Sequence, residues 1–406
     1  GTPFFEGGDF GILHDFPGDE NRDPVVLASD NLGVAEWCIK HVYSYGYRQV
    51  LQSKEKIWRY EDCESICKWT QFCLLICPEV STFWNLRRKL LKKGLITAQR
   101  ELELTRLIVT RKPKCMEAFY QRQWVLTKTT NISHPENRFF IEGEKAVCSL
   151  AASRHQNNYH AWNHRLWLLK IILNLNMEDC LQELKQEHAV MQKWITCHVS
   201  EHSGLHYYNK LVELTINWCQ INNVPIKTAP PFVNTPQNVY ESMLKYYEML
   251  ILQYPGHEAL FCARRTILLK WQECSKNNRT DSIVDGIAAG TDTNIDNCTN
   301  VNSSNVACAS VEEHLDGTNN ITNSFSTDNG IASNNGPSRS SEKYKASADD
   351  DLPAGKRTCI ENLTSEWSSL MMRERGFIQE CIALADTQYD KNLAKHYLHI
   401  VDRMGL

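Results

Sequence analysis

The chain has 406 residues, 42% of them hydrophobic, and a formal net charge of −4 at pH 7. That balance leaves no basic footprint for nucleic acid, and no apolar run approaches the about eighteen residues of a membrane span. Sixteen cysteines are scattered without a CxxC pair of zinc-ribbon type; with no signal peptide visible, they read as buried, reduced thiols of a cytoplasmic protein.

Residues 1–30 hold Gly, Pro and Asp and read as an irregular arm. Asn31 to Ile39 opens an amphipathic stretch that runs into Tyr43–Tyr47. Helices then follow in pairs. The stretch 60–77 is the first A helix, closed by Pro78, because proline disfavours α geometry in the residue before it. Its B helix covers 81–93, with Ser81 or Thr82 as cap and Gly94 as stop. The next pair is 98–111 with 115–129, Pro113 lying between. Then come 138–154 with 158–173, capped by Asn157 or Asn158, and 178–197 with 201–220. A Pro-rich connector from Pro225 to Pro236 precedes 237–253 with 257–273. These five pairs make 31–273 a repeat domain.

From 275 to 356 the composition turns to Asn, Ser, Thr, Asp and Gly. Too little apolar surface remains to offset ordering entropy, so the segment reads as a disordered insertion. Its N-x-S/T triplets, such as Asn278-Arg279-Thr280, read as accidents of composition. Helices at 359–385 and 389–404 follow, so 359–406 completes the array. No alternating strand pattern of any length is visible, and the class is all-α.

A spacing recurs through the pairs: a boundary residue, an anchor six later, a basic residue three beyond that. The copies are Pro78/Trp84/Arg87, Pro113/Phe119/Arg122, Gln156/Trp162/Arg165 and Pro255/Phe261/Arg264. A degenerate copy is Val199/Leu205/Tyr208, and a weaker sixth is Thr387/Leu393/His396. Anchor steps of 35, 43, 43 and 56 residues suit helical hairpins with loop insertions. A single hairpin cannot cover its own apolar face, so stacked copies share one core. The anchors and their arginines are therefore scaffold before they are chemistry. Buried guanidiniums require carboxylate or carbonyl partners, expected from the next loop.

Asn158-Tyr159-His160-Ala161-Trp162-Asn163-His164-Arg165 closely resembles the repeat of protein prenyltransferase alpha subunits. The resemblance covers roughly 60–273. It implies a TPR-like alpha-alpha solenoid, a right-handed superhelix of hairpins that wraps a catalytic beta subunit. Asn31-Leu32-Gly33-Val34 with Trp37-Cys38, His198-Val199-Ser200-Glu201-His202-Ser203-Gly204 and Tyr254-Pro255-Gly256-His257-Glu258 are similar to the alpha-subunit-repeat-containing branch of that family. That branch implies an alpha subunit of a type III geranylgeranyltransferase, paired with the Rab-type beta subunit. The implied substrate is a farnesylated SNARE of the longin type, and the co-substrate geranylgeranyl diphosphate. Zinc would belong to the beta subunit, so this chain binds no cofactor and is inactive alone. The rival expectation is a TPR-like interaction scaffold with no prenyl-transfer role.

The family motif reads Pro-Lys-Asn-Tyr-Gln where this chain has Pro113-Lys114-Cys115-Met116-Glu117. The resemblance makes Lys114 a diphosphate-side cation, which suits charge building on a leaving group. The motif's Tyr becomes Met116. Its Gln, which meets a substrate carboxylate, becomes Glu117, a substrate-selectivity candidate that repels such a carboxylate. Tyr159 and His160 fall on the family's diphosphate-side Tyr and His, both able to donate hydrogen bonds. Each of the three also reads as scaffold or solvated surface. His160/His164 and His198/His202/His206 have helical spacing for a metal pair. No H-E-x-x-H order accompanies them, and no metal site is expected.

Overall fold

Three short strands precede the helices: β1 (Phe10–Leu13), β2 (Val25–Ala28) and β3 (Asn31–Ala35). They form one sheet in the order β1-β3-β2. β1 runs parallel to β3, with Phe10 opposite Leu32, and β2 antiparallel, with Val25 opposite Val34. The computed structural model describes residues 8–14, 24–53, 60–129, 132, 139–225, 235–288 and 354–404. The arm at 1–30 is thus not irregular throughout, and the amphipathic stretch from Asn31 opens as strand, as far as Ala35, before helix begins at Glu36. Strands this short draw their stability from partners distant in sequence, which local alternation does not reveal.

Thirteen helices follow among the described residues: α1 (Glu36–Ser53), α2 (Tyr60–Ile76), α3 (Ser81–Lys92), α4 (Ala98–Arg111), α5 (Met116–Lys128), α6 (Phe139–Arg154), α7 (Tyr159–Ile172), α8 (Met177–Cys197), α9 (His202–Ile221), α10 (Pro236–Gln253), α11 (Glu258–Ala288), α12 (Ala354–Leu384) and α13 (Gln388–Met404). The fold is all-α with a small sheet appended. Among the described residues no helix is long and apolar enough to cross a membrane.

The helices pair as hairpins, and the hairpins stack in two layers. First members pack on first members, α2 on α4 and α4 on α6, while α5 packs on α7 and α7 on α9. β1 lies on α4: Phe10 N donates to Thr110 Oγ1 (3.2 Å) and the Arg111 guanidinium sits 5.7 Å from the Phe10 ring centre. One apolar core gathers residues from Phe10 to Ile172, another from Ala152 to Val401, and Leu175 packs against both.

Two compact units result. One comprises Gly1–Asn278 and Leu363–Leu406; the other is Arg279–Asn362, of which the described residues are the helix ends 279–288 and 354–362. The disorder expected from 275 onward gives way to helix as far as Ala288, and helix resumes at Ala354. Backbone hydrogen bonding within a helix needs no apolar side chains, so polar composition does not mark its end. The rest of that expectation, 289–353, lies outside the described residues. The cap of α3 also differs: Val80 occupies the position without a side-chain bond, so neither Ser81 nor Thr82 caps it.

A buried polar ladder joins the hairpins. Arg87 of α3 grips Glu101 of α4, with Nε 2.8 Å from Oε2. Arg122 of α5 grips Glu144 of α6 through Nε (2.7 Å) and Nη2 (2.5 Å). Arg165 of α7 grips Glu187 of α8 (2.6 and 2.9 Å), and Arg264 of α11 grips Glu374 of α12 (both 2.6 Å). Each Nη1 reaches back to a carbonyl of the arginine's own hairpin: Cys67, Leu102, Lys145 and Leu244. The carboxylates therefore come from the next helix, not the next loop. A loop end is wet, whereas the helix flank places the acid where the guanidinium is already desolvated. Every carboxylate takes a second partner from the following helix: Gln121, His164, Tyr207 and Tyr397 respectively. The sixth copy is thus out of register: His396 is exposed, and buried Tyr397 meets the ladder in the place that Gln121, His164 and Tyr207 take, each one residue before the basic position.

Candidate functional site

The turns that join first to second helices stand side by side, because the hairpins stack in register. Each turn delivers the N-terminus of a second helix, and the anchors fix the turns. Trp84 Nε1 donates to Pro78 O (2.7 Å), closing the turn before α3. Phe119, Trp162 and Phe261 are buried equivalently. The N-termini of α5 and α7 then become neighbours, and four of the sequence-derived candidates converge there.

Lys114 lies exposed in the turn before α5. Glu117 is half-buried in the first turn of α5, its Oε2 3.6 Å from the Cys115 thiol. Tyr159 and His160 are the first two residues of α7. Their rings pack at a tilt, with centres 3.9 Å apart and planes at 34°. Tyr159 is 53% exposed and His160 half-buried. Burial pushes the His160 imidazole below its ordinary value; Glu117 opposes that shift and Lys114 adds to it. The imidazole thus feels both charged groups across the α5–α7 boundary.

An ammonium, an imidazole and a phenol share the ends of two helices whose dipoles are positive there. Such a set suits a multiply charged anion. Glu117 places one negative charge within the same field, which biases the site against a second carboxylate.

His160 and His164, one helical turn apart, do not form a pair. His164 is buried, with Nε2 2.8 Å from Glu144 Oε2. His198 instead stacks on Trp194, ring centres 4.1 Å apart and planes at 9°. Among the described residues no three His, Cys, Asp or Glu side chains are placed to hold a metal ion.

Sequence reasoning overlooked the ladder acids Glu101, Glu144 and Glu187, although they recur at the same 43-residue step as the anchors. That periodicity was the available signal. Of the two cap candidates, Asn157 and Asn158, the structure uses one. Asn158 is the cap, accepting from Ala161 N (3.3 Å), and Asn157 takes a different role.

The family model for the protein prenyltransferase alpha subunit repeat matches residues 98–129 and 141–172, the two hairpins that build this cluster. The chain is 32% identical over 284 residues to Protein prenyltransferase alpha subunit repeat-containing protein 1 of Homo sapiens, covering 61% of this chain and 69% of that protein. It is 28% identical over 310 residues to Protein prenyltransferase alpha subunit repeat-containing protein 1-B of Xenopus laevis, covering 66% and 70%. With Protein prenyltransferase alpha subunit repeat-containing protein 1 of Danio rerio the identity is 29% over 285 residues, covering 62% and 66%.

Proposed function

We propose that this chain, which belongs to the protein prenyltransferase alpha subunit repeat family, is the non-catalytic alpha subunit of a heterodimeric protein geranylgeranyltransferase of type III. It pairs with the Rab-type beta subunit in the cytoplasm and assists geranylgeranyl transfer to a C-terminal cysteine of a farnesylated SNARE. The observation that carries this reading is the convergence of Lys114, Tyr159 and His160 on adjacent helix N-termini. A repeat scaffold alone gives no reason to gather these three.

In this role the chain supplies electrostatics rather than a nucleophile. The beta subunit, with its zinc, would present the substrate thiolate. Geranylgeranyl diphosphate loses its diphosphate as the thioether forms, and negative charge accumulates on the departing oxygens. Lys114 would neutralise that charge, with Tyr159 Oη and a His160 N–H as donors. Glu117 repels a free carboxylate, which favours substrates not held by a CaaX terminus.

Co-expression with a Rab-type beta subunit tests the reading. The expected result is a stable one-to-one complex purified through a tag on either chain. If a known alpha subunit recovers the beta subunit under conditions where this chain does not, an interaction scaffold without prenyl chemistry becomes the better reading.

A further inference from the structure

Asn158 is wholly buried although its side chain is wholly polar. Its Oδ1 caps α7. Its Nδ2 donates to Pro113 O (2.7 Å), in the turn that carries Lys114, and to Ala151 O (3.1 Å) in α6. Capping requires only the oxygen, and a serine would provide it. The amide nitrogen therefore does something else: it ties the start of α7 to the carbonyl immediately before Lys114.

The neighbouring residue ties the same turn in the opposite direction. Asn157 adopts φ +54°, the left-handed region that asparagine tolerates better than most residues. Its N–H donates to Glu201 Oε2 (2.5 Å) and its Oδ1 accepts from His202 N (2.9 Å). One turn is thus fastened backward to α5 and forward to α9, by two different asparagines.

We propose that Asn158 is the positioning residue of the anion cluster, setting the distance of Lys114 from His160 through its hydrogen bond to Pro113 O. Among the described residues it is the side-chain hydrogen bond that ties the Lys114 turn to the start of α7. The inference takes its purpose from the prenyltransferase reading, but the geometry it predicts is measurable without any prenyl donor.

The test is a proton NMR titration of the His160 imidazole in the full chain, assigned with His160→Gln. Lys114→Ala is introduced into wild type, Asn158→Ser and Asn157→Gly. Serine keeps the capping oxygen and lacks the donor to Pro113. Glycine keeps the positive φ and the backbone N–H bond to Glu201, and loses only the Oδ1 bond from His202 N. The expected result is that Lys114→Ala raises the His160 pKa in wild type and in Asn157→Gly, and by about threefold less in Asn158→Ser. An equal rise in all three backgrounds overturns the proposal, as does loss of the rise in Asn157→Gly alone. Should Asn158→Ser not fold, Asn158→Thr carries the same capping oxygen and takes its place.

Inorganic pyrophosphate, titrated into the same samples, separates the two ideas. Binding weakened about tenfold or more in Asn158→Ser supports both. If wild type binds none, the diphosphate reading falls, while the coupling measurement still decides the role of Asn158.

Discussion

Arg122 and Glu144 meet in full bidentate contact, with both residues almost wholly buried and 22 positions apart in sequence. The pair joins one hairpin to the next. Burial alone would raise the Glu144 carboxyl, yet the Arg122 guanidinium and the His164 bond hold it down at about 2. Arg122→Leu leaves an uncompensated carboxylate and should cost about 3–5 kcal/mol. Arg122→Leu with Glu144→Met should cost much less than the two single changes summed. The chain already contains that exchange: Tyr208 and Met243 fill the corresponding slots of α9 and α10, both buried and both uncharged. Urea unfolding of the two singles and the double measures the difference. Additive losses would contradict the pairing.

Acid should unfold the repeat domain in two stages. Burial pushes His188 down to about 4, against an ordinary 6.5, and burial lowers His164 as well. A depressed group stabilises above its unfolded value, and that contribution is lost as pH falls through its folded value. Stability should therefore decline between about pH 6.5 and 4. A second decline, between about pH 4.5 and 2, follows from Glu144 by the same sign. Melting temperature against pH reads both stages. His188→Phe should flatten the first and leave the second.

Gly204 has no room for a methyl group. A Cβ there would come within 2.3 Å of the Trp194 ring, which stands edge-on to Trp162 at 4.7 Å between centres. Gly204→Ala should destabilise by about 1–3 kcal/mol despite alanine's better helix propensity. The tryptophan emission should shift with it. A stabilised variant with unchanged emission would show that the ring moves freely.

Glu117 should govern substrate choice. Glu117→Gln removes the repulsion of a free carboxylate, so a complex carrying it should accept a CaaX peptide at least several-fold better than wild type. The same change should lower the His160 pKa further, because Glu117 opposes its depression. Equal CaaX activity in both proteins would remove Glu117 from selectivity.

The hairpins were legible because their apolar period is local. Helix α4 begins and ends at the residues the spacing marked, Ala98 and Arg111, and the anchors Trp84, Phe119, Trp162 and Phe261 are buried. What could not be read depended on contacts between distant segments. β1 is four residues held by β3 and α4. Glu101, Glu144 and Glu187 look like ordinary charges of a solvated helix face until an arginine from the preceding hairpin meets them. The sixth repeat shows the same limit: His396 matches the spacing, but α13 turns Tyr397 inward to Glu374. At the candidate site the sequence marked Lys114, Tyr159 and His160 singly, and only the stacking of α5 against α7 brings them together.

The most direct measurement is geranylgeranyl transfer by the purified pair of this chain and a Rab-type beta subunit. The acceptor is a farnesylated longin SNARE, and the Lys114→Ala complex is assayed beside wild type. Transfer is expected to require both chains, with kcat reduced about tenfold or more by Lys114→Ala at little change in SNARE KM. A stable complex that transfers nothing, or one indifferent to Lys114→Ala, Tyr159→Phe and His160→Gln together, would contradict the alpha-subunit reading.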